Sequence, residues 1–264
     1  MPATTLNIVR CGQGEPLILI HGIGGELCVW EPVMDVLAER FDTIAVDLPG
    51  FGGSPPLPDG VSPAPAALAA AIGGLMDELG LASAHLAGNS LGGWVALELG
   101  TGHRARSITA ICPAGLWERP LRTPGAPGRG GAQRLARRLG PLLSLLMFSR
   151  RFRRLALGNV VGDPDRVPRD AARRMVRSYG RAPAYAATNI AMREGFFTGA
   201  EEIGVPLTVA YGERDRMIRP VRLPVPGARI TVLPGCGHIP MWDRPDLVTA
   251  LIAETADVGR VAAR

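Results

Sequence analysis

Short apolar runs of buried-strand composition alternate with helical stretches from residue 5 to residue 111, and that alternation leaves few folds open. Thr5 to Arg10 and Pro16 to Ile20 read as strands joined by the turn Gly12-Gln13-Gly14. A glycine-rich loop at Gly22 to Gly25 follows, then a helix from about Trp30 to Arg40 and a strand at Thr43 to Val46. The unit returns as a helix over Ala64 to Leu79, a strand at Ala84 to Ala87, a helix over Leu91 to Leu99 and a strand at Ser107 to Ile111. Such repeats predict an α/β fold: a mainly parallel central sheet with helices on both faces. With 264 residues, 47% of them apolar, the chain can build that core without metals or disulfides.

At Pro113 the alternation stops. A Pro/Gly/Arg-rich stretch and then helical runs occupy residues 113 to 203, before strands resume at Val205 to Tyr211 and Arg229 to Leu233 and a helix runs over Pro245 to Thr255. The predicted division is therefore a core of residues 1–112 and 204–264 with a helical insertion at 113–203. Charge follows it: residues 119 to 193 carry 17 arginines and three acids, net +14, and the rest carries 12 arginines and 21 acids, net −9. Nucleic-acid binding calls for basic residues interleaved with stacking aromatics or for a known binding module, and aromatics make up only 5% of the chain, which argues against nucleic acid as a partner.

Cys11, Cys28, Cys112 and Cys236 stand far apart without metal-ligand spacing, so free thiols and no metal site are expected. The first dozen residues lack the pattern of a secretory signal, and the longest aliphatic stretch, Leu142 to Phe148, is far short of the roughly 20 residues that cross a bilayer. A cytoplasmic location, a small-molecule substrate and no stable membrane insertion are the expectations; the oligomeric state is left open.

Gly88-Asn89-Ser90-Leu91-Gly92 fits G-x-S-x-G between a predicted strand and a predicted helix, where a tight turn lifts a serine hydroxyl above the sheet. A serine hydroxyl needs a base within reach and a third group to fix that base's tautomer. Of the four histidines, His21 ends a strand, His85 lies inside one and His103 follows a helix, whereas His238 lies in the loop Gly235-Cys236-Gly237-His238 beyond the last strand. His238 is the expected base. Tyr211-Gly212-Glu213-Arg214-Asp215 offers two acids; Asp215 is the choice over Glu213, with Asp243 as a spare beside His238.

With His21-Gly22-Ile23-Gly24 and Asp47-Leu48-Pro49-Gly50-Phe51-Gly52-Gly53-Ser54, these motifs make the chain resemble the α/β-hydrolase family, in the branch holding esterases, epoxide hydrolases, cofactor-free haloperoxidases and carbon-carbon bond hydrolases. The resemblance implies the α/β-hydrolase fold, a Ser90–Asp215–His238 triad in that chain order, an oxyanion hole from the backbone N–H groups of Ile23 and Leu91, and no cofactor. It also implies that residues 113–203 form a cap over the nucleophile. Members that open epoxides or cleave carbon–halogen bonds carry an aspartate where Ser90 stands, which argues against those chemistries.

Under the cap, the Leu139 to Phe148 run with Trp117 is an expected apolar ceiling, and Trp94, Ile239 and Trp242 are candidate substrate contacts from the core. Arginines 134, 137, 138, 150, 151, 153 and 154 flank that run and suit a solvated face, an anionic substrate or a membrane-surface lid; Arg193 is a candidate for a substrate carboxylate. The leading reading is acyl-enzyme hydrolysis of a small to medium hydrophobic ester. Carbon-carbon bond hydrolysis of the meta-cleavage-product type is the runner-up, from the Gly88-Asn89-Ser90-Leu91-Gly92-Gly93 elbow and Trp242. Ligand binding without catalysis, and lipase-like action at an anionic interface, are the readings from other classes.

Overall fold

The computed structural model describes residues 6–121, 131–218 and 225–262. Among these, seven strands form one sheet: β1 Ile8–Cys11, β2 Glu15–Ile20, β3 Phe41–Val46, β4 Ala84–Asn89, β5 Ala105–Ile111, β6 Leu207–Gly212 and β7 Ala228–Leu233, in the order β1-β3-β2-β4-β5-β6-β7. β1 runs antiparallel to β3, and the remaining pairs are parallel. The expected strands are all present, with one shift at the start. Thr5 lies outside the described residues. Asn7 is not in the sheet because it is tied to a loop: its carbonyl accepts from the N–H of Asp47, and its own N–H donates to Ser54 Oγ.

Helices α1 (Glu31–Ala38), α2 (Pro65–Glu78) and α3 (Leu91–Thr101) alternate with the strands. Helices α4 (Gly131–Leu146), α5 (Arg150–Leu157), α6 (Arg169–Arg181) and α7 (Tyr185–Glu194) lie between β5 and β6, and α8 (Pro240–Asp243) and α9 (Pro245–Ala262) follow β7. Side chains along a strand alternate faces. Leu17 and Leu19 therefore pack with Val33 and Leu37 of α1 and Val248 and Leu251 of α9, while Ile18 and Ile20 pack with Leu68 and Ile72 of α2 and Val95 of α3. Each such side chain, fully buried, contributes about 1.5–3 kcal/mol.

Strand β3 lies on one side of β2 and β4 on the other, so the chain reverses direction across the sheet at this point. The loops after β2 and β4 leave the same edge beside each other, and that crevice is where open parallel sheets place their sites.

The inserted helices have an apolar cluster of their own, built on Met147, Leu157, Val161, Val167, Ala171 and Ala172. Helix α4 packs on α6 through small residues. A Cβ on Gly180 would stand 2.9 Å from the carbonyl oxygen of Ala136, and Ser144 is buried on the same side. Gln133 Nε2 donates to the carbonyls of Tyr179, Gly180 and Ala182 at the end of α6, and buried Arg153 donates to those of Met147 and Phe148 at the end of α4. This packing overturns the expected ceiling. Close helix approach selects the small face of α4, and Leu139, Leu142, Leu145, Leu146 and Phe148 turn to solvent, 38–60% exposed. Of that run, Met147 is buried, in the cluster of the insertion itself.

The insertion meets the core at the strands' C-terminal ends. A Cβ on Gly162 would lie 2.3 Å from the carbonyl oxygen of Gly235, and one on Gly237 would lie 2.5 Å from the nitrogen of Gly162. The Asp243 carboxylate bridges the seam, accepting from the N–H groups of Gly162, Asp163 and Gly237, each at 2.8 Å.

Candidate active site

Ser90 stands between β4 and α3 at φ 56° and ψ −116°, a conformation that costs a residue with a side chain of order 1–3 kcal/mol. Crowding enforces it. A Cβ on Gly88 would lie 2.1 Å from the carbonyl oxygen of Gly92, and one on Gly92 would lie 2.1 Å from that of Ile20, so the turn closes only around glycines. Hydrogen bonds fix what remains: Ser90 N–H donates to Ile111 O at 2.9 Å, and Ser90 O accepts from the N–H of Ala114 at 2.9 Å.

The loop after β2 presses against this turn. A Cβ on Gly22 would come within 3.0 Å of Ser90 Cβ, which brings the neighbouring Ile23 alongside the serine. Leu91 is the first residue of α3, whose N–H groups have no partner within the helix. Ile23 and Leu91, the two expected donors, thus follow neighbouring parallel strands, β2 and β4, at the same edge of the sheet.

His238 and Asp215 meet across two loops. His238 Nδ1 and Asp215 Oδ2 are 2.8 Å apart, and because a carboxylate only accepts, the Nδ1–H donates. Asp215 Oδ1 accepts from the N–H groups of Met217 at 2.7 Å and Ile218 at 3.0 Å. Burial works to raise the pKa of this carboxyl, but the His238 hydrogen bond and charge, with the two N–H donors, outweigh it and hold the pKa below its ordinary value. Ser90 Oγ and His238 Nε2 are not hydrogen-bonded; the two residues are linked instead through Asn89, whose Nδ2 donates to His238 O at 2.8 Å and to Ile111 O at 3.2 Å.

The remaining candidates are accounted for by structure. His21 is wholly buried, its Nδ1–H donating to Gly22 O and its Nε2 accepting from the Leu48 N–H, and burial lowers its pKa. His85 shares a hydrogen bond with Ser107 inside the sheet, and His103 is exposed beyond α3. Glu213 ties its loop to the histidine loop by accepting from Gly235 N–H, and the spare acid, Asp243, is spent on the seam. The Asp47 carboxylate accepts from Leu27, Asn7 and Gly53, which pins the Asp47–Ser54 loop beside the site.

Trp94 is 3% exposed, stacked edge-on against Trp117 at 5.6 Å and donating to Glu98, so it serves the packing of α3 against the insertion. Ile239 and Trp242 adjoin His238 and pack on the insertion's apolar cluster, with Ile239 N–H donating to Val160 O at 2.8 Å. Arg193 lies half-buried on α7.

Two features escape a sequence reading. Tyr179 and Tyr185, two of the chain's three tyrosines, lean on Gly24, where a Cβ would come within 2.8 Å of the Tyr179 ring; their hydroxyls are 3.4 Å apart. They roof the loop that carries Ile23. Cys112, left-handed at φ 45°, holds its Sγ within 4.8 Å of donor atoms of both Asp215 and His238 and accepts from Gly212 N–H. Burial pushes that thiol up, and the carboxylate and imidazole spend their facing atoms on each other, so the trio reads as packing around the acid.

The sequence profile described as Alpha/beta hydrolase family matches residues 17–251. The chain is 36% identical over 197 residues to a protein of Mycobacterium tuberculosis (strain ATCC 25618 / H37Rv) named Epoxide hydrolase EphH, a match spanning 67% of this chain and 87% of that one. It is 38% identical over 110 residues to a pimeloyl-[acyl-carrier protein] methyl ester esterase of Aeromonas hydrophila, covering 42% of this chain and 41% of the other. The solved structure of a 2-hydroxy-6-oxo-6-phenylhexa-2,4-dienoate hydrolase from Rhodococcus sp. strain RHA1 superposes over 95% of this chain and 99% of its own with a TM-score of 0.69 at 22% identity, a likeness of fold. With the profile spanning all but the ends, the chain belongs to the alpha/beta hydrolase family.

Proposed function

We propose that the protein is a serine hydrolase that forms and then hydrolyses an acyl-enzyme on a small to medium hydrophobic ester. The observation that carries this reading is the 2.8 Å Nδ1–Asp215 hydrogen bond of His238, which leaves Nε2 as the basic nitrogen on a histidine tied through Asn89 to the strained Ser90 turn. In this reading Nε2 takes the Ser90 proton as Oγ attacks the ester carbonyl, a contact that tightens when substrate seats. The N–H groups of Ile23 and Leu91 receive the oxyanion, each removal of such a donor costing about 3 kcal/mol in other enzymes. His238 then protonates the departing alkoxide, and water repeats the sequence on the acyl group. Residues 113–203 act as the cap, with Tyr179, Tyr185 and Ile239 as pocket walls.

The likeness to a protein named an epoxide hydrolase meets a chemical obstacle at Ser90. Attack by a serine oxygen on an epoxide yields an alkyl ether, which offers water no carbonyl, so the enzyme would stop after one turnover. An ester, in contrast, gives an intermediate that water can clear.

Treatment with a fluorophosphonate probe, and a series of p-nitrophenyl esters of increasing acyl length, tests the reading against Ser90→Ala and His238→Ala. Labelling and turnover present in the wild type and absent from both variants is the expected result. A wild type that labels but turns over no ester moves the reaction to carbon-carbon cleavage, tested next on a dienoate; one that neither labels nor turns over leaves only ligand binding.

A further inference from the structure

Helix α4 carries its large aliphatic side chains on the wrong side for a cap helix. Leu135, Leu139, Leu142 and Leu146 recur at helical spacing and share one sector about 60° wide. All four are 38–56% exposed, and Phe148, beyond the end of α4, and Leu155, on α5, are exposed at 48% and 78%. The opposite face is fixed by the close contact of Ala136 with Gly180 and by buried Ser144, so α4 cannot rotate to hide its leucines without opening the α4–α6 contact. A contiguous exposed apolar patch of this kind marks a contact surface.

Charge identifies the contact. Between Glu118 and Asp163 the sequence contains ten arginines and no acid. Arg138 and Arg134 border one side of the leucine stripe, Arg137 is turned about 140° away from it, and Arg150 and Arg151 follow Phe148; all five are exposed and none forms an ion pair among the described residues, the charge of Arg150 reaching Asp165 at longer range. A second copy of the chain would bring the same positive face against itself, which disfavours self-association. An apolar stripe rimmed by arginine matches instead a surface with anionic headgroups over a hydrocarbon interior. Arginine stems lie along the apolar side while their guanidinium heads reach phosphates. Among the described residues no helix is long and apolar enough to cross a bilayer, so the contact is peripheral.

We infer that the α4–α5 face seats the protein on an anionic lipid surface, independently of whatever Ser90 does. Co-sedimentation with vesicles of phosphatidylcholine alone, and of phosphatidylcholine with phosphatidylglycerol, tests this on the full chain. Wild type is expected to prefer the anionic vesicles by about tenfold or more, and each arginine lost to cost about fivefold. Leu142→Glu/Leu146→Glu should abolish sedimentation, Arg150→Glu/Arg151→Glu should weaken it, and added salt should weaken it further, while both double variants keep the wild-type melting temperature because they alter exposed positions. Failure to sediment, equal binding to neutral vesicles, or retention by the leucine variant overturns the inference. So does a wild-type dimer that the leucine variant converts to monomer without any vesicle binding, which assigns the face to a second copy. Displacement by soluble polyglutamate without sensitivity to the leucines assigns it to an acidic protein, and equally overturns it.

Discussion

Asn89 Nδ2 lies 2.8 Å from the carbonyl oxygen of His238, tying the residue before the serine to the residue proposed as its base. The same nitrogen reaches Ile111 O, so one buried amide fixes the serine turn, the neighbouring strand and the histidine loop together. Asn89→Ala leaves the buried His238 carbonyl short of its donor, while Ile111 O keeps the Ser90 N–H. The expected cost is about 1–3 kcal/mol of stability. Misplacing the imidazole relative to Ser90 should lower kcat by about 10–100-fold. KM should stay close to wild type, since Asn89 does not face substrate. Steady-state kinetics decide the matter, and a change confined to KM would show the tie to be irrelevant to catalysis.

If Ser90, His238 and Asp215 act as proposed, Asp215→Asn keeps the shape of the acid but favours the wrong His238 tautomer, and turnover should fall about 10³–10⁴-fold, as in enzymes with an established Ser-His-Asp triad. The depressed pKa of Asp215 also sets a pH dependence. Its contribution to stability is complete above the unfolded value, about pH 4, and is lost as pH falls through the lower folded value. The gap in melting temperature between wild type and Asp215→Asn is therefore expected to be widest above about pH 4 and to narrow below it. A gap that is constant down to acid unfolding contradicts the assignment of the shift to this carboxyl.

His21 is buried as the neutral imidazole, held between Gly22 O and the Leu48 N–H. Burial depresses its pKa, against smaller opposing effects of the Gly22 carbonyl and Asp47. The unfolded chain then binds the proton more readily below about pH 6.5, and stability drains away as pH falls from there toward the folded value. His21→Gln should be less stable than wild type at neutral pH, yet its melting temperature should fall less steeply between about pH 7 and pH 5. Equal slopes would place the pH sensitivity elsewhere.

Asp243 accepts three backbone N–H groups, two from the insertion and one from the histidine loop. Asp243→Ala strands all three, and with bonds to a charged group worth about 1.5–3 kcal/mol each, the seam is expected to loosen before the core melts. Limited proteolysis should cut the variant first near residues 158–168. Wild-type protease resistance in Asp243→Ala would mean that the apolar contacts of Ile239 and Trp242 suffice.

The strands were legible because buried parallel strands are continuous apolar runs, and β2 to β7 fall within one or two residues of the runs that announce them. The serine turn was legible through its glycines, and the acid and histidine through their places just beyond β6 and β7. Helix α4 was misjudged for a physical reason: helical spacing reveals that a stripe exists but not which way it faces, and the deciding residues, Ala136, Gly180 and Ser144, are small and carry no hydropathy signal. Trp94 is a candidate contact in the sequence, and its burial against Trp117 and its bond to Glu98 come from residues distant in sequence or a turn away. The tie made by Asn89 occupies a variable position of its motif, and the approach of Cys112 to the acid depends on a left-handed turn that no residue type announces.

The facing glycines at the seam, Gly162 on the insertion and Gly237 beside His238, leave no room for a side chain on either. Recombination between relatives that exchanges the inserted helices while keeping the parental histidine loop therefore inherits a condition: both partners must be glycine, or neither half can close on the other. The inserted segment is exchangeable as a cassette only if its boundary is drawn to carry that compatibility with it, and grafts that ignore it should fail at assembly, before any activity is tested.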